Sequence, residues 1–344
     1  MHHISIKFPA IVSRLLLWMV IGFGFTSVVS AQTDPLLSHY YEMPSFYNPG
    51  AIGQSDLLRI RGGARLQWLG IEHAPVSIVA TGDMPVKLGK RRLAVGLALQ
   101  QESMGLYRNF TLGAMVGYQM KLLGGILTPG LRIGLASESF KGSEVYIPDD
   151  DDYHQATDDA IPNTDVSGNA LDLGIGFSYR RDRFSTGISL LHANSPTINL
   201  SSSTGAGGGV STPSESGDVK NYQFSLKRTL YFTAAGNIPL SNTLLELMPS
   251  VIAVSDFDSF TGAATAMVRY NRFLSAGLGY RWDDAIALHL GVDIKNFYLG
   301  YSYEYPVSAI SKVSSGSHEI IAGYSLKLDF SEKNKNKHKS IRIM

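Results

Sequence analysis

Cysteine is absent from the 344 residues. That excludes disulfides, thiolate metal sites, a cysteine nucleophile and an acylated cysteine of the lipoprotein kind. Beyond the first thirty or so residues, no apolar run approaches the roughly 20 needed for a membrane-spanning helix. Excess charge is lacking too: a net charge of +1 offers no concentrated basic surface for nucleic acid. No Gly-rich phosphate loop, HExxH helix or GxSxG elbow occurs. His192, His289 and several aspartates are raw material for rim catalysis, but nothing pairs a nucleophile with a base, so the chain reads as a non-enzyme with no cofactor or metal site.

What is present is glycine, tyrosine and a dyad rhythm, with 35 Gly and 17 Tyr. At the N-terminus, Lys7 and Arg14 precede the apolar stretch Leu15 to Val29, and Val29-Ser30-Ala31 supplies small residues before Gln32. This reads as a signal peptide over residues 1–31, and hence as an exported protein. From Leu57 onward, segments of about ten residues alternate apolar with small or polar side chains between turn residues. Leu171, Leu173, Ile175, Phe177 and Tyr179 share one face, while Asp172, Gly174, Gly176, Ser178 and Arg180 share the other. The phase returns in Leu274–Trp282, Phe297–Glu304 and Glu319–Phe330, where Ile321 breaks the polar face. Aromatics such as Tyr118, Tyr270, Phe273, Trp282 and Phe297 fall near strand ends, as interfacial girdles require.

The pattern predicts an all-β fold, a transmembrane antiparallel barrel of about fourteen strands over residues 57–330, lipid on one face and water on the other. Strands are expected near 57–66, 75–84, 92–101, 109–121, 126–138, 169–180, 183–192, 221–237, 245–254, 261–270, 273–282, 285–292, 296–304 and 316–329. The long insertions Phe140–Gly168 and Ala193–Lys220 are odd-numbered connections, while Leu122–Gly125 and Arg180–Arg183 are even-numbered and tight. Long loops belong outside and short turns in the periplasm, so both termini are expected to face the periplasm of an outer membrane. Residues 32–56, rich in aromatics, form an N-terminal segment that is periplasmic or packed in the lumen, and residues 331–344 form a basic periplasmic tail.

Three segments keep two readings open. Asp149 to Asp152, with His154, Asp158 and Asp159, offers oxygen ligands to Ca²⁺ but lacks the spacing of a calcium loop, and a solvated acidic loop is favoured. Ser201 to Gly217 reads as a flexible external loop that either projects or folds into the lumen. Lys333, Lys335, Lys337, His338, Lys339 and Arg342 are a dock for an acidic partner or a solubilising end. Trp68, at the end of the first strand with Gly70 turning the chain, reads from physics alone as an interfacial anchor.

Certain residues carry a family resemblance. Asp34-Pro35 with Ser38-His39-Tyr40 and Asn48-Pro49, then Arg65, Gln67, Trp68 and Gly70 with Ala74-Pro75, resemble the opening landmarks of the PorP/SprF outer-membrane proteins of type IX secretion and gliding in Bacteroidota. Asp182-Arg183-Phe184, Tyr231 to Gly236, Met248-Pro249-Ser250, and Gly316-Ser317-His318-Glu319 follow in order. Gly50-Ala51 departs from the family's usual alanine and aromatic. The resemblance implies a barrel subunit of the secretion machinery that anchors periplasmic lipoprotein and ring components, supports protein export and in some members serves a secreted adhesin. Its implied interaction or motif residues are Asp34, Pro35, Tyr40, Asn48, Pro49, Arg65, Gln67, Trp68, Gly70, Pro75, Gly316, Ser317, His318 and Glu319. The alternative is a diffusion channel or small-solute transporter, which a Gly-rich lumen face also permits.

Overall fold

The computed structural model describes residues 34–89, 91–145, 161–202, 222–241 and 243–328. The leader, the acidic run and the basic tail lie outside these residues. Alternating side chains give β1 (Leu57–Leu66), β2 (Val76–Leu88), β3 (Arg91–Met104), β4 (Tyr107–Leu122), β5 (Gly125–Lys141), β6 (Asp165–Arg181) and β7 (Phe184–Leu191). They continue as β8 (Thr197–Ser202), β9 (Tyr222–Ser225), β10 (Thr229–Gly236), β11 (Ile238–Pro239), β12 (Leu245–Ser255), β13 (Phe260–Tyr270), β14 (Leu274–Arg281), β15 (Ala285–Ile294), β16 (Phe297–Pro306) and β17 (Ser317–Lys327).

Fourteen of these are staves of one closed antiparallel barrel. β1 pairs with β2 on one side and with β17 on the other, Leu57 opposite Lys327 and Leu66 opposite His318, so the sheet has no free edge. β10 joins β7 to β12, and β11 only prolongs β10 along β12. The barrel thus has a near rim, where β1 begins and β17 ends, and a far rim. Connections at the near rim are tight (123–124, 182–183, 295–296), whereas the strands on either side of the two long connections, β5 and β6 and then β7 and β10, end and begin at the far rim.

The sequence pattern places one strand over 221–237, and here the structure differs. β9 stops at Ser225, and β10 starts at Thr229. β9 belongs instead to a hairpin with β8, Ile198 facing Phe224, and β8 pairs Ser202 with Val166 along the edge that β6 offers beyond the end of β7. Ile198, Leu200 and Leu226 bury themselves against Ala136, Phe140 and Val166. The apolar burial of Ile198 and Leu200 outweighs the loop character of the serine- and glycine-rich stretch that follows them.

The faces divide as the alternation requires. Leu131, Leu171, Leu278, Leu299 and Ile320 point outward and are exposed on the isolated chain. Tyr118, Phe184, Tyr270, Phe273 and Phe297 line the outer near rim, while Tyr280, Trp282 and Tyr305 line the far one. The inward face holds Thr81, Arg132, Asp172, Ser189, Glu304 and Glu319, all buried. Something therefore fills the lumen, and it is the chain's own N-terminal segment.

Candidate functional site: a plugged lumen

Residues 34–53 cross the lumen in short turns, Tyr40–Glu42, Pro44–Tyr47 and Pro49–Ala51. Proline opens two of them, where its fixed φ suits the first helical position. Leu37, Tyr40, Met43, Phe46, Tyr47 and Ile52 form one apolar cluster with inward residues of the wall, among them Val79, Met115, Leu191, Ile252 and Ile321. Burial of each such side chain contributes about 1.5–3 kcal/mol. Ile321, the break in the polar face of β17, is a wall contact of this plug.

Polar locks fix the plug at three places. At the first, Asp34 lies 3.2 Å from His192 Nε2 and accepts a hydrogen bond from the Tyr231 hydroxyl at 2.7 Å, while His192 Nδ1 lies 2.9 Å from Asp172. Neither Asp34 nor His192 lies in a strand. Burial alone raises the Asp34 carboxyl, but the charge and hydrogen bond of His192 prevail and hold it at about 2. Burial likewise disfavours the His192 cation, yet Asp34 and Asp172 together raise it to about 10. At neutral pH the lock is a His192 imidazolium beside the Asp34 carboxylate, with Asp172 at its other ring nitrogen.

The second lock is built on Arg65. Its guanidinium lies 2.5 Å from Glu304, 3.6 Å from Glu319 and 3.1 Å from the Ser38 hydroxyl. Glu319 accepts the backbone N–H groups of Ser38 and His39 and the His39 ring at 2.7, 2.9 and 2.8 Å. Glu304 also accepts from the Ser38 hydroxyl and from Arg281, which itself donates to the Leu36 carbonyl. Each buried charge thus has opposite charges and donors around it, the condition under which burial is tolerated.

The third lock is Asn48. Its side-chain oxygen accepts from Gly50 N at 2.7 Å, capping the turn, and its amide donates to the Phe177 carbonyl at 3.0 Å. Gly50 lies so close to the wall that a Cβ there would sit 2.6 Å from the Thr128 carbonyl oxygen and 2.9 Å from Ser178 N. A larger residue at position 50 would push the plug off β5 and β6.

The motif residues named from the sequence divide into two groups. Asp34, Tyr40, Asn48, Arg65 and Glu319 meet inside the barrel, with the Pro35 carbonyl held by Tyr47 and Tyr40 held by Ser250. The Pro49 carbonyl lies against Gly130 of β5. Gln67, Trp68, Gly70, Pro75, Gly316 and Ser317 form a second group at the far rim. There Gln67 N donates to the Pro75 carbonyl, Trp68 N to the Ser317 hydroxyl and Leu69 N to the Gly316 carbonyl. Gly70 and Gly316 both have φ near +100° (100° and 103°), a conformation side chains resist. His318 faces outward, 2.8 Å from the Tyr301 hydroxyl.

Sequence reasoning missed the wall partners His192, Tyr231, Glu304 and Arg281 as parts of one site. Charge on an inward strand face is the signal that marks Glu304 and Arg281, whereas His192, outside a strand, and the uncharged Tyr231 carry no such mark. His289 sits inside too, edge-on to His39 with ring centroids 5.2 Å apart.

A closed antiparallel barrel, apolar outside and filled by its own N-terminal segment, defines a transmembrane β-barrel of the outer-membrane class. The chain belongs to the family described as type IX secretion system membrane protein PorP/SprF, whose profile matches residues 29–324. It is therefore an outer-membrane component of type IX secretion, and it works with other components of that system. No match was found among the curated proteins. Solved structures similar to it include a Pseudomonas aeruginosa FadL homologue (10% identity, 83% of this chain and 94% of that one, TM-score 0.46). The Ralstonia pickettii toluene transporter TbuX matches at 11% identity, with 82% and 92% covered and a TM-score of 0.45. Acinetobacter baumannii Omp33 matches at 8% identity, with 80% and 100% covered and a TM-score of 0.41. Scores this low carry no functional argument.

Proposed function

We propose that this chain is a non-enzymatic structural subunit that anchors periplasmic lipoprotein and ring components of the secretion machinery to the outer membrane and supports protein export, gliding adhesins included. In this reading the tight connections of the near rim, and with them both chain ends, face the periplasm. The observation that carries the reading is the filled lumen: residues 34–53 occupy the space a solute would need, tied by Arg65, Glu304, Glu319 and His192. The plug residues are buried against the wall, so the motif acts by holding a shape, and partners meet the surfaces that shape leaves exposed.

Crosslinked co-purification from native outer membranes tests the proposal. Recovery of periplasmic secretion components with the wild-type chain supports it. Recovery of the barrel alone under conditions that capture other secretion subunits overturns it in favour of an independent channel.

A further inference from the structure

We propose that the near mouth of the barrel is a docking site for an acidic segment of a soluble partner protein, an inference that rests on the anchoring role and on the near rim facing the periplasm. Seven inward positions there carry cations: Arg59 on β1, Lys87 on β2, Arg92 on β3, Lys121 on β4, Arg180 on β6, Arg269 on β13 and Lys327 on β17, with Glu246 on β12 and Asp293 on β15 as inward acids of the same end. Their inward direction follows from the strand period. Lys87 is in phase with buried Asp83, Lys121 with buried Gln119, Arg180 with buried Ser178, and Lys327 with Ser325, which accepts from Arg61 inside the lumen.

Three of the seven are neutralised from within, Arg269 by Glu246. Asp83 lies 3.7 Å from Arg59, and Asp56 at the end of the plug pairs with Arg92. Lys87, Lys121, Arg180 and Lys327 have no ion-pair partner among the described residues. Lys87 and Arg92 are moreover directly opposite one another across the β2–β3 ladder, an arrangement of like charges that destabilises a sheet. Asp56 answers Arg92 alone, which leaves the Lys87 ammonium beside it without a counter-charge of its own.

The occupant follows from the place. Inward side chains face away from the bilayer, so a lipid headgroup is not their counterpart. The chain's own tail, with Lys333, Lys335, Lys337, Lys339 and Arg342, has the same sign as the mouth. Its acidic run, Asp149 to Asp152, falls in the stretch of sequence between β5 and β6, strands that end and begin at the opposite rim. What remains is a carboxylate-rich stretch of another protein, steered by charge and weakened by salt.

The test uses the full chain in detergent micelles or nanodiscs and a variant carrying Lys87→Gln, Lys121→Gln and Lys327→Gln. These are exposed side chains outside the plug locks, and removing Lys87 relieves its repulsion with Arg92, so the variant keeps its heat-modifiable barrel. A fluorescent poly-glutamate peptide of about 15 residues is expected to bind the wild-type chain in low salt, at least tenfold more weakly to the variant, and a poly-glutamine peptide not at all. Equal binding of poly-glutamate to both chains, or equal binding of the two peptides, overturns the proposal. The same variant separates this inference from the one beneath it. Wild-type and variant chains that co-purify secretion components equally well refute the mouth alone, whereas a wild-type chain that recovers none refutes the anchoring role.

Discussion

Arg65 shows how a single side chain holds plug to wall. Its charge is buried between Glu304 and Glu319, which in turn grip Ser38 and His39. Arg65→Ala leaves two buried carboxylates with one cation fewer, and breaking a buried ion network from one side destabilises by about 3–5 kcal/mol. The urea midpoint of the folded barrel should fall accordingly, and a midpoint unchanged within error would show that the network is not structural. The Asp34–His192 lock has a pH signature. His192 is raised to about 10 from 6.5, so its contribution is complete below about pH 6.5 and disappears as pH rises through about 10. Asp34 is lowered to about 2 from 3.8, so its contribution is complete above about pH 4 and disappears as pH falls through about 2. Amide exchange of residues 35–40 should therefore be slow and nearly level from about pH 4 to 6.5 after correction for intrinsic rates, should quicken progressively above that, and should lose the lock's protection above about pH 10. Loss of protection already at pH 7 would contradict the lock.

At the scale of elements, the strands were legible because one side of each meets lipid and the other meets a polar interior, which enforces a period of two. The Leu171–Arg180 alternation is the clearest case, and the count of fourteen staves agrees with it. Less legible were elements whose partners are remote in sequence. Asp34 and His192 are 158 positions apart, and no local pattern joins them. The β8–β9 hairpin was hidden for a different reason: Ile198 and Leu200 alternate over only six residues before a polar run, too short to stand out as a transmembrane strand. Packing against Ala136, Phe140 and Val166 supplies what the local signal lacks. Ile198→Asp should free this hairpin, seen as faster amide exchange over 197–202 and 222–226, while the barrel keeps its heat-modifiable migration. Loss of the whole barrel would mean that the hairpin is part of the closing sheet.

At the scale of the molecule, a cylinder without free edges carries a plug threaded through it, with charge unevenly distributed along its axis. Asp172, Glu304 and Glu319 hold the plug in the far half of the lumen, paired there with His192, Arg65 and Arg281, and cations outnumber acids at the near mouth. Membership of the PorP/SprF family gives this object its setting in type IX secretion. Its physics suggests that it serves there as a rigid fixture. Single-channel recording in planar bilayers tests that claim most directly, on the wild-type chain and on one lacking residues 34–53. The plugged barrel is predicted to be silent, and the shortened chain, where it inserts, to pass steady current. Large, steady conductance from the wild-type chain would contradict the account.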